Sequence, residues 1–144
     1  MDDIRGFSGD NRFLSNFWFV NVVFDGKTYR SVEHAYQAAK SLDDENREYL
    51  RKVPSPAMVK LYARKMILRP DWEQVKVPVM YGLLVQKFTL YPDLRAKLLA
   101  TGDAYLEETN HWNDTFWGVC KGVGTNALGE CLMRVRNKLK SMPS

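Results

Sequence analysis

Apolar residues recur every three or four positions between residues 31 and 40, which is the spacing of one face of an α-helix. This apolar face comprises Val32, Ala35, Tyr36 and Ala39. Ser31 precedes the face as a favourable N-cap, and Glu33 in the first turn complements the helix dipole. The pattern therefore predicts one short helix.

A β-hairpin is predicted immediately before this helix. Residues 18–24 are rich in Trp, Phe and Val, and residues 27–30 include Thr28 and Tyr29. The Asp25-Gly26 pair between these two stretches is a strong signal for a tight hairpin turn. Residues 1–12 are polar and contain glycine, so we expect a lead-in loop there.

Caps and helix breakers predict five further helices. They cover approximately residues 43–52, 56–66, 72–89, 92–100 and 127–139, and Ser55, Asp71 and Asn126 are the expected N-caps of three of them. The intervening residues 103–125 are rich in Gly, Asn and Asp and are expected to be mostly irregular. We therefore expect an α+β fold in a single domain over residues 1–144, mainly helical, with a small N-terminal antiparallel β-hairpin.

Composition narrows the classes of function. The chain of 144 residues can bury a core, and its net charge of +4 fits an anionic ligand but does not by itself indicate nucleic acid. Two cysteines provide no disulfide framework, and two histidines argue against a His/Cys metal site. The sequence shows no signal-peptide hydrophobic region and no apolar run of membrane-spanning length, so we expect a cytoplasmic protein without a membrane partner.

Three polar residues form a second stripe beside the apolar face of the first predicted helix. Glu33, Gln37 and Lys40 recur at i, i+4 and i+7. Glu33 and Lys40 are two turns apart, about 10 Å along the axis, so a bound metabolite can contact both. The alternative is a solvated helix edge, which the pattern alone favours because charged helix edges are common.

Three other stretches carry candidate chemistry. Asn16 can donate and accept hydrogen bonds at once, which suits either a polar ligand or a turn. Residues 108–118 combine polar and aromatic side chains, as in a functional loop or a packed surface loop. Residues 122–127 read Gly-Val-Gly-Thr-Asn-Ala before a predicted helix, which suits either a phosphate cradle or simple loop flexibility. The dinucleotide fingerprint is excluded because no βαβ pattern surrounds these glycines.

These residues together resemble the NADAR family over residues 7–136. The matching blocks are, in order, Leu14-Ser15-Asn16-Phe17; residues 31–40; Arg64; Asp71-Trp72 with Lys76 and Val79-Met80; Lys87-Phe88; Leu106 with Glu108; Asp114-Thr115-Phe116-Trp117-Gly118; and Gly124-Thr125-Asn126-Ala127-Leu128-Gly129. Each block alone is weak, but their order and spacing together are specific. The resemblance therefore outweighs the solvated-edge interpretation of the polar stripe.

The resemblance implies a NADAR-like fold and a hydrolase that cleaves an N-glycosidic bond. The implied ligand is an ADP-ribose-like or ribosyl-phosphate compound. Two substrates are candidates: ADP-ribosylated guanine in nucleic acid, which would make nucleic acid a partner, and early phosphoribosyl-amino intermediates of riboflavin synthesis. The alternatives from other classes are a non-catalytic ADP-ribose or NAD-binding module and a protein-interaction domain without a small ligand.

Cleavage of a ribosyl N-glycosidic bond requires a proton for the leaving nitrogen, stabilisation of positive charge on the sugar, and a nucleophile at the anomeric carbon. We assign Glu33 to acid/base catalysis and Asp114 as the second carboxylate. Lys40 is either a charged phosphate clamp or a nucleophile that forms a Schiff base. The predicted substrate-binding residues are Asn16, Tyr36, Gln37, Arg64, Trp72, Lys76, Trp117, Gly118, Gly124 and Asn126, with phosphate near the last two. This chemistry requires no cofactor and no metal.

Overall fold

A computed structural model describes residues 2–143, and within them the chain forms one 3₁₀ helix, six α-helices and six short strands. The α-helices are α1 (Val32–Ala39), α2 (Asp44–Lys52), α3 (Pro56–Ala63), α4 (Trp72–Leu90), α5 (Pro92–Ala100) and α6 (Ala127–Lys140). The strands are β1 (Ile4–Arg5), β2 (Phe19–Phe24), β3 (Lys27–Ser31), β4 (Leu106–Glu107), β5 (Thr109–Asn110) and β6 (Val119–Cys120). The predicted α+β class, mainly helical with an N-terminal hairpin, is confirmed.

The chain divides into two compact units. We call residues 16–87 the hairpin unit, and residues 2–15 together with 88–143 the terminal unit. Across the described part of the chain, no helix has both the length and the apolar character needed to cross a bilayer.

The hairpin of β2 and β3 forms as the sequence predicts. Asp25 and Gly26 both adopt positive φ, at 47° and 78°, as the tight turn requires. The antiparallel register pairs Val22 with Tyr29, and both side chains are buried. The hairpin thus provides one apolar surface within its unit, and α1 contacts both of its strands.

The helices of the hairpin unit begin at side chains that cap them. The Ser31 hydroxyl accepts from the His34 N–H at 3.0 Å, and the Asp43 carboxylate accepts from the Asn46 N–H at 3.1 Å. The Ser55 hydroxyl caps α3, in which Pro56 occupies the first turn.

The end of α3 and the start of α4 add detail to the predicted helices. Helix α3 ends at Ala63 instead of Met66, because the N–H groups of Lys65 and Met66 bond to the carbonyls three residues earlier and tighten the chain into a turn. The carboxylate of Asp71, the predicted N-cap of α4, accepts hydrogen bonds from Arg69 Nε at 2.6 Å and from Arg69 Nη2 at 3.1 Å.

The terminal unit contains the main departure from the predicted elements. The predicted lead-in loop is wrong in part, because Ile4–Arg5 forms a strand parallel to β4 and Gly9–Leu14 forms a 3₁₀ helix. The Ile4 N–H donates to the Tyr105 carbonyl at 2.8 Å, so the strand depends on a partner a hundred residues away that local pattern does not reveal.

Two cationic side chains of α6 bind the end of α5 in the same unit. Arg136 Nη1 donates to the Thr101 hydroxyl and to the Ala104 carbonyl, at 3.0 and 2.8 Å. Lys140 Nζ donates to the Gly102 carbonyl at 3.1 Å. These bonds tie α6 to residues 101–104, the turn that follows α5.

Candidate active site

Helix α1 is covered on all sides within the hairpin unit. Every residue from Val32 to Ala39 is buried, since α2, α3 and both strands of the hairpin contact this helix. Glu33 is only 7% exposed and Gln37 only 3%. The solvated-edge interpretation is therefore wrong for these two residues, and an acid and an amide are held out of bulk water.

Glu33, Gln37 and Asn16 form one cluster. The Glu33 N–H donates to the Asn16 carbonyl at 3.1 Å, and Gln37 Nε2 donates to Glu33 Oε2 at 3.5 Å. Asn16 Nδ2 contacts the sulfur of Met80 on α4 at 3.5 Å, which is a weak acceptor. Three of the predicted site residues thus lie in one neighbourhood.

Two acceptors of this cluster have no hydrogen-bond partner among residues 2–143. They are Asn16 Oδ1 and Gln37 Oε1, in side chains that are at least nine-tenths buried. A buried acceptor without a partner costs about 1–3 kcal/mol, and natural structures hold few of them. Rotating the Gln37 amide would set its oxygen against the Glu33 carboxylate, so the orientation with Nε2 towards Glu33 is the favourable one.

An aromatic group lies at the next positions of α1. The rings of Tyr36 and Trp72 are tilted, with their centroids 5.3 Å apart. Lys40 Nζ lies 5.3 Å from the centre of the Tyr36 ring, within the range of a cation–π contact. The Lys40 carbonyl accepts from the Arg69 N–H at 2.7 Å, which fixes the end of the helix. Tyr36 thus contacts both Lys40 and Trp72.

Two other predicted ligands of the hairpin unit are placed differently. Arg64 is exposed and forms the C-cap of α3. Lys76 makes an ion pair with Glu73, with Nζ 2.8 Å from Oε2. The roles of Arg64 and Lys76 in binding stay predictions.

The remaining predicted residues belong to the terminal unit. Asp114 is half-buried, and its Oδ1 accepts from the N–H groups of Phe116 and Trp117, at 3.2 and 2.9 Å. One carboxylate oxygen of Asp114 therefore holds the loop, and Trp117 is positioned through its backbone. The catalytic role of Asp114 stays a prediction.

Asn110 organises this loop and was not among the predicted site residues. Its amide group takes part in five hydrogen bonds, all with backbone groups, which lie on Glu108, Trp112, Asp114 and Val119. An Asn side chain commonly folds loops in this way. Its position inside a polar loop was the available signal, but its five partners are visible only in three dimensions.

Gly118 and Gly124 are required by close backbone packing. A β-carbon on Gly118 would overlap the Glu108 carbonyl oxygen, and one on Gly124 would overlap the Gly118 carbonyl oxygen. Gly124 also has a φ of 156°, which disfavours other residues. The structure thus explains both glycines without a ligand, and their role in phosphate binding stays a prediction.

Asn126 occupies the N-cap position of α6 as predicted, but its side chain makes no capping bond. It adopts a left-handed conformation with φ 58° and ψ 41°. Its Oδ1 accepts from the Glu108 N–H at 3.0 Å, and its Nδ2 donates to the Leu106 carbonyl at 2.9 Å. The predicted N-cap position is confirmed, but the amide ties α6 to β4 and the residue after it instead of bonding to the first turn of α6.

His34 is buried on α1 but is fully hydrogen-bonded. Its Nδ1 and the Ser31 hydroxyl oxygen are 2.6 Å apart, and its Nε2 donates to the Val53 carbonyl at 2.7 Å. Burial lowers the pKa of His34 below its usual value, which favours the neutral ring. This histidine is therefore structural.

Known proteins resemble this chain over most of its length. The NADAR domain model matches residues 6–140. N-glycosidase YbiA of Escherichia coli (strain K12) is 42% identical over 135 residues, covering 92% of this chain and 84% of that protein. The NMR structure of the E. coli protein YbiA superposes with a TM-score of 0.84 and 40% identity, covering 97% of this chain and 84% of that one.

A second relative carries a different name. Riboflavin biosynthesis protein VVA0006 of Vibrio vulnificus (strain YJ016) is 37% identical over 131 residues. The match covers 89% of this chain but only 35% of that protein.

Proposed function

Because this chain belongs to the NADAR domain family and is a hydrolase that acts on N-glycosyl bonds, we propose that it releases a nitrogenous group from a ribosyl phosphate. ADP-ribosylated guanine in nucleic acid is the substrate that we put first. The observation that carries the proposal is the buried Glu33 carboxylate, which lies beside two amide acceptors that no residue of the described chain satisfies.

Glu33 is suited to move a proton at the leaving nitrogen. It lies among buried groups, where water does not compete for the proton and electrostatic effects on the sugar are strong. Its hydrogen bond from Gln37 holds one carboxylate oxygen in place. The other side of the reaction, the stabilisation of positive charge at the anomeric carbon, also favours a carboxylate at this position.

Lys40 is proposed as the covalent catalyst. The sugar ring first opens, as the leaving nitrogen forms a double bond to C1 and the ring oxygen departs as a hydroxyl. The unprotonated Nζ then adds to C1 of this iminium. Glu33 carries a proton from Nζ to the leaving nitrogen, whose bond to C1 breaks and leaves C1 joined to Nζ as an imine. Water then hydrolyses the resulting imine, which releases the sugar aldehyde and restores the amine. The contact with Tyr36 favours the charged amine and therefore opposes this step, so a charged phosphate clamp is the competing role.

Phosphoribosyl-amino intermediates of riboflavin synthesis are the second candidate substrates. The name of the Vibrio relative favours them, although that protein is much longer than the matched region. A non-catalytic ADP-ribose-binding module fits less well, because a phosphate site gains nothing from a buried carboxylate.

One experiment compares the candidates directly. The purified protein is incubated with an ADP-ribosylated guanine oligonucleotide and, separately, with phosphoribosyl-amino pyrimidines, and the released base or amine is quantified. Release from neither substrate would contradict the proposal. Borohydride added during turnover should trap a sugar adduct on Lys40, which mass spectrometry of peptides locates.

Two lysine variants complete this test. Lys40→Arg keeps the charge but forms no imine, so it should lose both turnover and the adduct. Lys65→Arg, an exposed lysine of the same unit, is the matched control and should retain both. Full activity of Lys40→Arg without an adduct would leave Lys40 a binding residue.

A further inference from the structure

The buried amide atoms near Glu33 that lack a hydrogen-bond partner are acceptors. This chemistry determines which part of a ligand they can bind. Asn16 and Gln37 each direct their amide nitrogen to a protein partner, the Met80 sulfur and the Glu33 carboxylate. Their oxygens are the atoms without a partner among residues 2–143. The atoms that these two amides leave for a ligand are therefore hydrogen-bond acceptors.

An acceptor cluster binds hydrogen-bond donors and repels anions. A phosphate group has only acceptor oxygens at neutral pH and carries negative charge, so it gains nothing from two amide oxygens beside a carboxylate. Sugar hydroxyls are donors, and the hydroxyls on two adjacent ribose carbons supply one donor for each of these acceptors.

We propose that Asn16 and Gln37 recognise the 2- and 3-hydroxyl groups of the ribosyl substrate and so make the enzyme selective for ribose over deoxyribose. This inference rests on the proposed function, which supplies the ribosyl ligand. The phosphate of the same ligand then lies away from this cluster. Gln37 has a double role, because the bond that orients its oxygen towards the sugar also holds the Glu33 carboxylate.

The test measures binding of ribose 5-phosphate by calorimetry, with 2-deoxyribose 5-phosphate, arabinose 5-phosphate and inorganic phosphate as comparison probes. Deoxyribose 5-phosphate should bind about 10- to 100-fold more weakly, because the missing hydroxyl leaves a buried acceptor without its donor. Arabinose 5-phosphate, which inverts the 2-hydroxyl, should also bind more weakly. Equal binding of ribose and deoxyribose phosphates would overturn the inference.

Variants assign the effect to the named side chains. Gln37→Met keeps the length of the side chain but removes its acceptor, so it should lower the preference for ribose over deoxyribose by at least threefold. Gln74→Met on the exposed surface of α4 is the matched control and should keep the full preference. A folded Gln37→Met and Asn16→Leu pair with unchanged preference would also overturn the inference.

This experiment separates the inference from the proposed function. If ribosyl substrates are cleaved but the sugar hydroxyls make no difference to binding, the proposed function stands and the hydroxyl assignment fails. If no ribosyl substrate is cleaved while the preference for ribose 5-phosphate persists, the site binds ribose and the catalytic proposal fails.

Discussion

Polar side chains are buried both on α1 and in the loop at residues 108–126, but the two regions use them differently. On α1 and next to it, Gln37 and Asn16 keep acceptors that no described residue satisfies. In the loop, Asn110 and Asn126 direct their amide groups to backbone partners, and Asp114 uses one oxygen in the same way. Sequence alone marked polar candidates in both regions.

This difference distinguishes polar residues that are available to a ligand from polar residues that maintain the fold. Buried polar groups without a hydrogen-bond partner lower stability, and they are retained where a ligand supplies the missing bond. Buried polar groups that have partners instead stabilise one loop conformation. We therefore expect substitutions on α1 to affect turnover mainly, and substitutions in the loop to affect stability mainly.

The largest effect is expected from Glu33→Gln. The amide keeps the size of the side chain but cannot transfer the proton, so kcat should fall by ~10²–10⁴ while the thermal midpoint changes little. Steady-state kinetics on a confirmed substrate measures the fall. Glu45→Gln, at an exposed position of α2, is the control with unchanged kcat. Parental turnover in Glu33→Gln would remove Glu33 from the mechanism.

A loss of stability is expected from Asn110→Ala. The change leaves the N–H groups of Trp112 and Asp114 without their acceptor and should lower the free energy of unfolding by about 2–4 kcal/mol. Urea denaturation gives this value. Thr115→Ala at an exposed site of the same loop should change it by less than about 0.5 kcal/mol. Equal stability of the two variants would contradict the architectural role of Asn110.

The smallest effect on stability is expected from His34, the buried residue of α1 whose ring nitrogens both have hydrogen-bond partners. Because burial lowers the pKa of His34 in the folded state, the unfolded chain binds a proton first as the pH falls through its ordinary value of 6.5. Stability from this residue is therefore complete above about pH 6.5 and declines below it, by about 1.4 kcal/mol for each unit of pKa lowering.

Urea midpoints between pH 5 and 6.5 measure this decline. Burial also lowers the pKa of Lys87, to about 7. Stability from Lys87 therefore also declines as the pH falls, but mainly above that pKa, so the measured range ends at pH 6.5. His34→Gln should flatten the decline, and exposed His111→Gln should leave it unchanged. A decline that persists in full in His34→Gln would assign it to other groups.

The sequence predicted those elements that are encoded locally. The Asp25-Gly26 turn, the Ser31 cap and Pro56 in the first turn of α3 specify their own geometry, and the structure has each of them. The identities of Glu33 and Gln37 as candidates also came from sequence, through their spacing and the family resemblance.

Burial and long-range pairing were not predictable in the same way. Periodicity placed Glu33 beside the apolar face, but four elements surround α1 and cover that edge too. Similarly, Asn126 has the residue type of a cap, yet its amide binds Glu108 and Leu106 because β4 lies next to it. These outcomes depend on neighbours that are distant in the chain.

The pairing of β1 with β4 has a consequence for how the protein is made. Arg5 meets Glu107, 102 residues further along, so ribosomal synthesis must pass that point before the first strand has any partner. The hairpin unit is continuous in sequence and becomes complete at residue 87, whereas the terminal unit is assembled from two separated segments. Closing such a long loop has an entropic cost that grows only slowly with length, but it delays the contact. Folding during translation should therefore begin with the unit that contains Glu33 and Lys40. The first strand remains unpaired until β4 has been synthesised.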